Sequence, residues 1–388
     1  MNFEFSAEDR AFRQQLREFL EKEVTDEAVE EMVRWEVGGP DSRQLLLKLG
    51  EKGWLLPIAP KEYGGLGTSY LQQYITVDEV SYFLKTPVFT TAMVMGPLFM
   101  LFSDEEQKRE YLPKLARGEI EISGGYTEPD AGSDLTRIKT RAVEEDDHWV
   151  INGQKIYSTA GCYATYQLVC ARTDENAPAS QGLSLIIVPM DNPGVTIRPM
   201  WTLANCKVGE EFYDNVRVPK KNLVGEKNKG YKHLMRALDL ERVFPLPIGH
   251  MRRALEDIVE YAKETKRDGK PLTQDPLVRQ ELAELATAIE VAHDMAYRTV
   301  WLMDQGRNIR PEASTMKVFL TELEQKITRT GVHIMGLYGQ LEPDSKHAPA
   351  KGAIEQHLLL SLYMTIGGGT SEIQRNVIAQ VGLNLPRS

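Results

Sequence analysis

The chain has 388 residues, of which 46 are basic and 56 are acidic, so its net charge is -10. This length suits two or three structural units that share a sizeable core. The negative charge disfavours nonspecific binding to nucleic acid or to anionic membranes. We therefore expect a small-molecule enzyme without a nucleic-acid partner.

The most apolar stretch, Thr91 to Phe102, is too short to span a bilayer. Because Gly96-Pro97 interrupts it, we expect a buried helix pair or a turn there. The first residues resemble neither an export signal nor a transit sequence. We therefore predict a cytoplasmic location and no membrane anchor.

The three cysteines are odd in number, scattered and without a CxxC pair, and the seven histidines show no paired ligand spacing. This pattern argues against a disulfide framework and against a zinc site. We expect no metal.

Helical patterning runs, with interruptions, from Ser6 to about Ile120. Ser6 and Asp9 form a helix-start signal, and apolar residues then recur at helical spacing. The glycine-rich segment Pro60 to Gly67 lacks the preceding strand of a phosphate-binding loop and the lysine that follows the last glycine of such a loop, so it is predicted to be a turn between helices.

Between about Ser123 and Pro219 the pattern changes to a period of two, with many β-branched residues. Asn152-Gly153 is predicted to be a hairpin turn. Strands are expected in the runs that contain His148, Tyr166, Leu183 and Tyr213, with polar connections at Asp174 to Gly182 and Asp191 to Gly194.

After Gly230 the helical period returns, and Leu277 to Ala296 carries the apolar stripe of a long bundled helix. The predicted fold class is α+β. We expect an N-terminal helical domain at 1–122, a small β-barrel or sandwich at 123–229 and a C-terminal helical bundle at 230–388.

Two loop-like phrases carry the functional signal. In YTEPDAGSD, Tyr126 to Asp134, Pro129 biases Glu128 toward an extended form, and glycine permits a sharp reversal. In IGGGTSEIQR, Ile366 to Arg375, the glycines allow close backbone approach to a cofactor at a helix start. Ser371 is alternatively a simple helix N-cap.

Both phrases resemble those of the acyl-CoA dehydrogenase flavoproteins, and the likeness extends over essentially the whole chain. The resemblance implies a middle antiparallel β-barrel, a C-terminal four-helix bundle and FAD as cofactor. It implies desaturation of an acyl-CoA to a trans-2-enoyl-CoA, with electrons passed to an electron-transferring flavoprotein. A homotetramer is expected, with a dimer or a heteromer as alternatives.

By this resemblance, Tyr126 and Thr127 contact the flavin, and Ser133 contacts the cofactor and the bound CoA ester. Tyr157-Ser158-Thr159 stands where the family usually has Trp-Ile-Thr beside the flavin. The alternative for this segment is an ordinary strand with one buried aromatic. In the second phrase, Thr370 and Glu372 are expected to contact FAD.

Two other FAD elements depart from the family pattern. Thr265 and Asp268 replace an arginine and a phenylalanine, and His333 replaces a glutamine ahead of the expected cofactor contacts Gly336 and Gly339. These departures motivate one rival reading, a non-catalytic subunit of a heteromer. The other rival is a flavin oxidase or monooxygenase built on the same fold.

Gly368 stands where the best-known members carry their catalytic glutamate. The segment Met235 to Asp257 resembles the helix that lines the acyl pocket, and Glu241 matches the base of a minority branch that includes isovaleryl-CoA dehydrogenase. Glu241 is therefore expected to remove the α-proton while the β-hydrogen leaves as hydride to flavin N5. The Gly368 backbone N–H is expected to polarise the thioester carbonyl.

The alternative for Glu241 is a surface glutamate beside Arg242. Pro245 and Pro247 are predicted to kink this helix and to reshape the pocket wall. The bulk of Phe244 and Leu246 favours a short, branched or cyclic acyl group over a long straight one, whereas a proline kink can also widen a cavity. Three neighbours of Glu241 are predicted to contact substrate, namely Asp239, Arg242 and Phe244.

Overall fold

The computed structural model describes residues 3–34, 39–87, 90–244 and 246–386. The helices are α1 (Ala7–Glu23), α2 (Asp26–Val33), α3 (Pro40–Glu51), α4 (Tyr70–Leu84), α5 (Ala92–Phe102), α6 (Glu105–Ala116), α7 (Gly230–Glu241), α8 (Gly249–Glu264), α9 (Pro276–Asp304), α10 (Arg310–Met335), α11 (Ala353–Met364) and α12 (Ser371–Val377). The strands are β1 (Ile122–Gly125), β2 (Arg141–Glu145), β3 (His148–Ser158), β4 (Tyr166–Arg172), β5 (Leu183–Pro189), β6 (Val195–Trp201), β7 (Lys207–Pro219), β8 (Leu223–Val224), β9 (Lys266–Arg267) and β10 (Lys270–Pro271). The predicted order of helices, strands and helices is confirmed.

The chain forms two compact units. The helical unit comprises Met1–Leu45, Ser69–Phe89 and Glu241–Ser388, and the sheet unit comprises Leu46–Thr68 and Thr90–Leu240. The boundary falls in the last turn of α7. The three predicted domain ranges stay a prediction.

In the helical unit, α10 packs against α8, α9, α11 and α12, while α4 packs against α1 and α8. The apolar stripe predicted for the long helix is buried on α9, at Leu285, Ile289 and Ala292. Helices α8 to α11 thus form the predicted C-terminal bundle, because each buries one apolar stripe against its neighbours.

The sheet unit is built on an eight-stranded sheet in the order β6-β7-β3-β2-β4-β5-β8, with β1 also paired to β4. The pairings are antiparallel except for β1 with β4 and β2 with β4. Strand β5 is buried on both faces: Leu185 and Ile187 contact the core shared with α5 and α6, whereas Ile186 and Val188 contact a second core. Burial on both faces explains its apolar run from Leu185 to Val188.

Two sequence predictions about these elements are wrong. Asn152-Gly153 lies within β3, at an irregularity in its pairing with β7, and the β2–β3 turn is formed by Asp146 and Asp147 instead. The Thr91 to Phe102 stretch is one helix with Pro97 inside it. Gly96 lets this helix pack closely on Leu56, since a Cβ at Gly96 would lie 2.5 Å from the leucine side chain.

Across the described residues, we find no helix that is both long and apolar enough to cross a bilayer. The predicted cytoplasmic location stays a prediction.

Candidate active site

The segment that carries Glu241 is two helices rather than one kinked helix. Helix α7 ends at Glu241, and α8 begins only at Gly249. Pro247 lies in the connection, and Pro245 lies outside the described residues. A proline disfavours helical backbone at the residue before it and lacks the N–H that a helix needs. The predicted kink is therefore wrong, because the chain leaves the helix here.

The connection after Glu241 is held by contacts within the helical unit. The Asp78 carboxylate of α4 accepts hydrogen bonds from the backbone N–H groups of Ile248 (2.8 Å) and Gly249 (2.7 Å), which caps α8. Phe244 is fully buried and stacks on Tyr70, with ring centroids 6.2 Å apart. These contacts fix the chain on the C-terminal side of Glu241.

The Glu241 carboxyl group differs from that of an exposed glutamate. The residue keeps some accessible surface, yet burial raises its pKa from 4.5 to about 7, against the opposing charge of Arg242. As the last residue of α7, it also lies at the helix end where a negative charge is disfavoured. A carboxyl group with this pKa exchanges its proton readily at neutral pH.

The glycine-rich loop lies beside this segment. The Gly368 carbonyl accepts hydrogen bonds from Arg242 Nε (3.1 Å) and Gln374 Nε2 (3.1 Å). Gly368 has a left-handed backbone (φ +66°), and a Cβ there would meet no heavy atom within 4 Å. The space that a side chain would take at this position is therefore open.

Thr370, not Ser371, is the N-cap of α12. Its hydroxyl oxygen accepts from the Ile373 N–H (3.3 Å), and Ser371 is the first helical residue. Glu372 is exposed, and its backbone amide and the Thr370 hydroxyl hold the pKa of its carboxyl below the ordinary value. The alternative that Ser371 caps the helix is wrong, because the cap lies one residue earlier.

In the sheet unit, the loop that begins at Tyr126 is joined directly to β3. The Ile156 N–H donates to the Thr127 carbonyl (3.0 Å), and Glu128 and Ala131 exchange backbone hydrogen bonds of 3.0 and 3.1 Å. Thr127 is partly buried and Ser133 is exposed. The predicted sharp reversal is therefore present, with both hydroxyl residues accessible.

A buried ion pair beneath this loop was missed in the sequence. Lys155 is fully buried and donates to Glu128 Oε1 (2.8 Å) and to the Tyr126 carbonyl (3.2 Å). Burial lowers the pKa of Lys155. Burial acts to raise the pKa of Glu128, but Lys155 and further hydrogen bonds hold it below its ordinary value. The pair ties the loop to β3.

Tyr157 is not the buried aromatic of an ordinary strand. It lies in a bulge of β3 with φ +64°, and its side chain is 61% exposed. Ser158 points inward, and its hydroxyl donates to Glu211 Oε2 (2.8 Å). Thr159 is partly buried in the turn that follows β3. The bulge therefore presents an aromatic side chain at the surface beside the Thr127 loop.

The other predicted site residues occupy varied places. Asp239 and Arg242 are buried. Gly336 ends α10 with φ +60°, Gly339 is buried, and His333 is exposed. Their roles in binding stay predictions.

Glu211 was also missed, although the sequence contains a signal for it. Glu210 and Glu211 are adjacent in β7, and successive side chains of a strand point to opposite faces. One of two neighbouring charged residues in a half-buried strand must therefore face inward. Glu211 is the one that does, with no exposed surface.

Glu241, whose pKa burial raises to about 7, thus directly precedes the residue that bonds the Gly368 carbonyl. Family models for the N-terminal, middle and C-terminal domains of acyl-CoA dehydrogenase match residues 6–119, 123–216 and 228–383. The chain therefore belongs to the acyl-CoA dehydrogenase family, whose members are FAD-dependent oxidoreductases.

Relatives match over the full length. Acyl-CoA dehydrogenase FadE26 of Mycobacterium tuberculosis is 33% identical, over 100% of both chains. The caffeyl-CoA reductase-Etf complex subunit CarC of Acetobacterium woodii is 30% identical, over 97% of this chain and 98% of its own. The structure titled Tcur3481-Tcur3483 steroid ACAD is 34% identical, with a TM-score of 0.91 over 100% of both chains.

The surface around Tyr157 suits the isoalloxazine of FAD. This cofactor has a planar ring with hydrogen-bonding edges, and an exposed aromatic side chain can pack against such a ring. Tyr157 follows Ile156, whose N–H bonds the carbonyl of Thr127 (3.0 Å), so aromatic and hydroxyl groups lie on adjoining segments. The residues present therefore fit FAD.

Proposed function

We propose that this protein catalyses the α,β-desaturation of an acyl-CoA thioester, with Glu241 as the base. The observation that carries the proposal is the partly buried Glu241 carboxyl group, with a pKa of about 7, next to the residue that bonds the Gly368 loop. The open space at Gly368 supports it, because the loop position leaves room for a carboxylate from another element.

In the proposed reaction, ionised Glu241 removes the α-proton of the thioester. Its raised pKa makes it a stronger base than an ordinary carboxylate, and a pKa near the working pH is the most effective for proton transfer. The Gly368 N–H polarises the thioester carbonyl. Arg242 and Gln374 bond the carbonyl of the same residue and so fix the loop.

Bound FAD supplies the acceptor for the β-hydrogen, which leaves as hydride. Thr127 and Tyr157 would hold the ring, and Thr370 and Glu372 would contact the rest of the cofactor. The Thr370 hydroxyl oxygen accepts from the Ile373 N–H in the α12 cap, and a hydroxyl oxygen has a second lone pair with which it can accept from a donor group of FAD.

For the electron acceptor we propose an electron-transferring flavoprotein. The relative CarC, named as a subunit of an Etf complex, supports this choice. A homotetramer remains the predicted assembly. A heteromer is the alternative, supported by the relative named Tcur3481-Tcur3483 steroid ACAD, whose name pairs two proteins, and by the departures at Thr265, Asp268 and His333.

The test is an anaerobic titration of the purified flavoprotein with acyl-CoA esters, followed by the oxidised flavin absorbance. The panel contains short, branched, cyclic and long esters, and a steroid ester of CoA because of the steroid ACAD relative. We expect one class to bleach the flavin. Glu241→Gln should slow bleaching by roughly 10²- to 10⁴-fold, whereas the exposed Glu260→Gln serves as a matched control without effect.

A double variant sharpens the test. Glu241→Gln with Gly368→Glu places a carboxyl group in the open space at the loop, and we expect it to regain part of the lost rate. Full activity in Glu241→Gln alone would contradict the proposal. Rapid reoxidation of the bleached flavin by oxygen would favour an oxidase, and protein purified without flavin would favour a non-catalytic subunit.

A further inference from the structure

The loop around Thr127 is anchored by two consecutive residues of β3. Lys155 Nζ donates to the Tyr126 carbonyl (3.2 Å) and to Glu128 Oε1 (2.8 Å). One ammonium group thus holds the residues on both sides of Thr127. The Ile156 N–H donates to the carbonyl of Thr127 itself (3.0 Å). Three successive residues of the loop are therefore fixed to one strand.

The Glu128 carboxylate fixes the same loop to a second segment. Its Oε2 accepts from the Lys139 N–H (2.7 Å) and its Oε1 accepts from the Thr140 N–H (2.9 Å), just ahead of β2. Together with Lys155, these groups give the carboxylate three donors, and both charged side chains are buried. Hydrogen bonds to an ionised group are stronger than those between neutral groups. The loop therefore cannot shift without breaking several strong bonds.

These anchors determine which groups of Thr127 stay free. In a trans peptide, as here, the C=O and the following N–H point in opposite directions. Because the Tyr126 carbonyl faces Lys155, the Thr127 N–H points away from Lys155. This N–H and the Thr127 hydroxyl make no hydrogen bond within the part of the chain that the structure describes. Since Thr127 is only partly buried, both donors are available to a ligand.

Two neighbouring donors match an acceptor edge of the flavin ring. The isoalloxazine carries carbonyl oxygens beside ring nitrogens, so adjacent acceptors line its edges. A hydrogen bond weakens steeply as its angle falls toward ~120°. Both donors therefore serve such an edge only if the peptide before Thr127 keeps its orientation. Lys155, bonded to the Tyr126 carbonyl, fixes that orientation.

Stability alone does not account for a buried ion pair at this place. Taking two charges out of water costs free energy, and apolar side chains of similar volume often stabilise a fold equally well. A buried ammonium group does, however, require acceptors in fixed positions. Lys155 finds two of them on either side of Thr127, so the pair supplies a direction that apolar packing would not.

We propose that Lys155 and Glu128 are positioning residues for FAD: they hold the peptide before Thr127 so that its N–H and hydroxyl face an acceptor edge of the flavin. The inference rests on the proposed contact between Thr127 and the flavin ring. The pair then contributes to FAD affinity through Thr127 and not apart from it.

The experiment measures the FAD dissociation constant of the full-length holoenzyme by dilution, followed by the recovery of free-flavin fluorescence. The variant Lys155→Met/Glu128→Gln removes both charges and leaves no buried charge unpaired. We expect it to bind FAD roughly 10- to 100-fold more weakly, as the loss of one or two hydrogen bonds gives. Thr127→Val removes the hydroxyl alone and should weaken binding about tenfold in the wild type.

Combining these changes separates positioning from a general structural role. In the Lys155→Met/Glu128→Gln variant the Thr127 contacts are already lost, so adding Thr127→Val should weaken binding by no more than about twofold further. The matched control is Lys139→Met, which removes an exposed ion pair with Asp130 in the same loop and keeps the Lys139 N–H. Its FAD affinity should equal that of the wild type.

Three results would overturn the inference: wild-type affinity in Lys155→Met/Glu128→Gln, wild-type affinity in Thr127→Val, or an equal effect of Thr127→Val in both backgrounds. Circular dichroism checks that each variant is folded. If the double variant does not fold, Glu128→Asp replaces it. Glu128→Asp keeps both charges but withdraws the carboxylate from its donors, and the same three results decide.

The two proposals fail separately. Acyl-CoA esters that bleach the wild-type flavin, while Lys155→Met/Glu128→Gln keeps its FAD affinity, would overturn this inference alone. Weakened FAD binding through Thr127, while no ester bleaches the wild-type flavin, would overturn the proposed reaction and leave this inference standing.

Discussion

Glu241 in the helical unit and Glu211 in the sheet unit both have a carboxyl pKa of about 7, and in both cases burial is the main cause of the raised pKa. Their surroundings differ. Glu241 ends a helix and keeps some accessible surface, whereas Glu211 has none and is enclosed by Gly161 and Gly209. A raised pKa alone therefore does not define a catalytic base, since only the accessible group can meet a substrate.

The electrostatic surroundings of the two carboxyl groups are also alike in one respect. Each carboxyl group has a cation close by, yet that cation is bonded elsewhere: Arg242 to the Gly368 carbonyl, and Lys155 to Glu128. A cation committed to another acceptor compensates the neighbouring carboxyl group only in part. This explains why neither pKa is pulled down to the range of an ordinary ion pair.

The largest effect on stability is expected at Lys155. Lys155→Met leaves the buried Glu128 without its partner, which should lower the free energy of unfolding by about 3–5 kcal/mol. Chemical denaturation of the wild type and the variant measures this loss of unfolding free energy. The matched control is Lys139→Met, which removes an exposed pair with Asp130 and should cost at most about 1 kcal/mol. Equal losses in the two variants would contradict the account.

The next effect is a stabilisation. The pKa of Glu211 is 4.5 ordinarily and about 7 in the fold, so the native state binds more protons than the unfolded chain between these values. Stability contributed by this group therefore falls as the pH rises from about 4.5 to 7 and is level above 7. Glu211→Gln should raise the free energy of unfolding by roughly 3 kcal/mol at pH 8.

The same variant should gain less than about 1 kcal/mol at pH 5, where the native carboxyl group is already protonated. Chemical denaturation of the wild type and of Glu211→Gln at pH 5 and pH 8 measures whether the gain in unfolding free energy is larger at the higher pH. A gain of equal size at both would show that packing, not proton binding, is responsible.

The rate of flavin bleaching should report the other carboxyl group. Glu241 acts in its ionised form, so below its pKa of about 7 the rate should fall about tenfold per pH unit and level off above it. Arg242→Met removes the charge that lowers this pKa, and the midpoint of the profile should move to higher pH. Stopped-flow bleaching between pH 5.5 and 9 measures both. A downward shift would contradict the assignment.

A smaller effect is expected at Gly368. Gly368→Ala meets no heavy atom within 4 Å, so its cost comes only from the left-handed backbone, about 1–2 kcal/mol. Gly306→Ala is matched, with the same φ of +66° and the same open surroundings. Both should lose equal stability in denaturation, and only Gly368→Ala should also slow bleaching. A slower rate in both variants would argue against a special role for the loop.

Much of the fold could be predicted from the sequence, because the spacing of apolar residues and the strand propensity of a segment are local signals. The runs that begin at Tyr166 and Leu183 are strands, and the Leu277 stripe is a long helix. The errors fall where tertiary contacts override local signals. Asn-Gly is a strong turn signal, yet here it lies inside β3, with Gly153 against Thr140.

The candidate site also contains residues that could be predicted from the sequence and residues that could not. Glu241 and Gly368 could be found by comparing the chain with a known family pattern, which records functional positions directly. The Lys155–Glu128 pair and Glu211 could not, because a charged residue in a strand gives no local sign of its partner across the sheet. Only the adjacent Glu210-Glu211 pair hinted that one carboxyl group faces inward.

Proton removal by Glu241 can be tested separately from hydride loss. A 3-thia-acyl-CoA has an α-proton but no β-hydrogen to transfer, so its exchange with deuterated water reports the base alone. Followed by NMR with the FAD-bound enzyme, the exchange should be rapid in the wild type and roughly 10²- to 10⁴-fold slower in Glu241→Gln. Exchange at the wild-type rate in Glu241→Gln would contradict the assignment of Glu241 as the base.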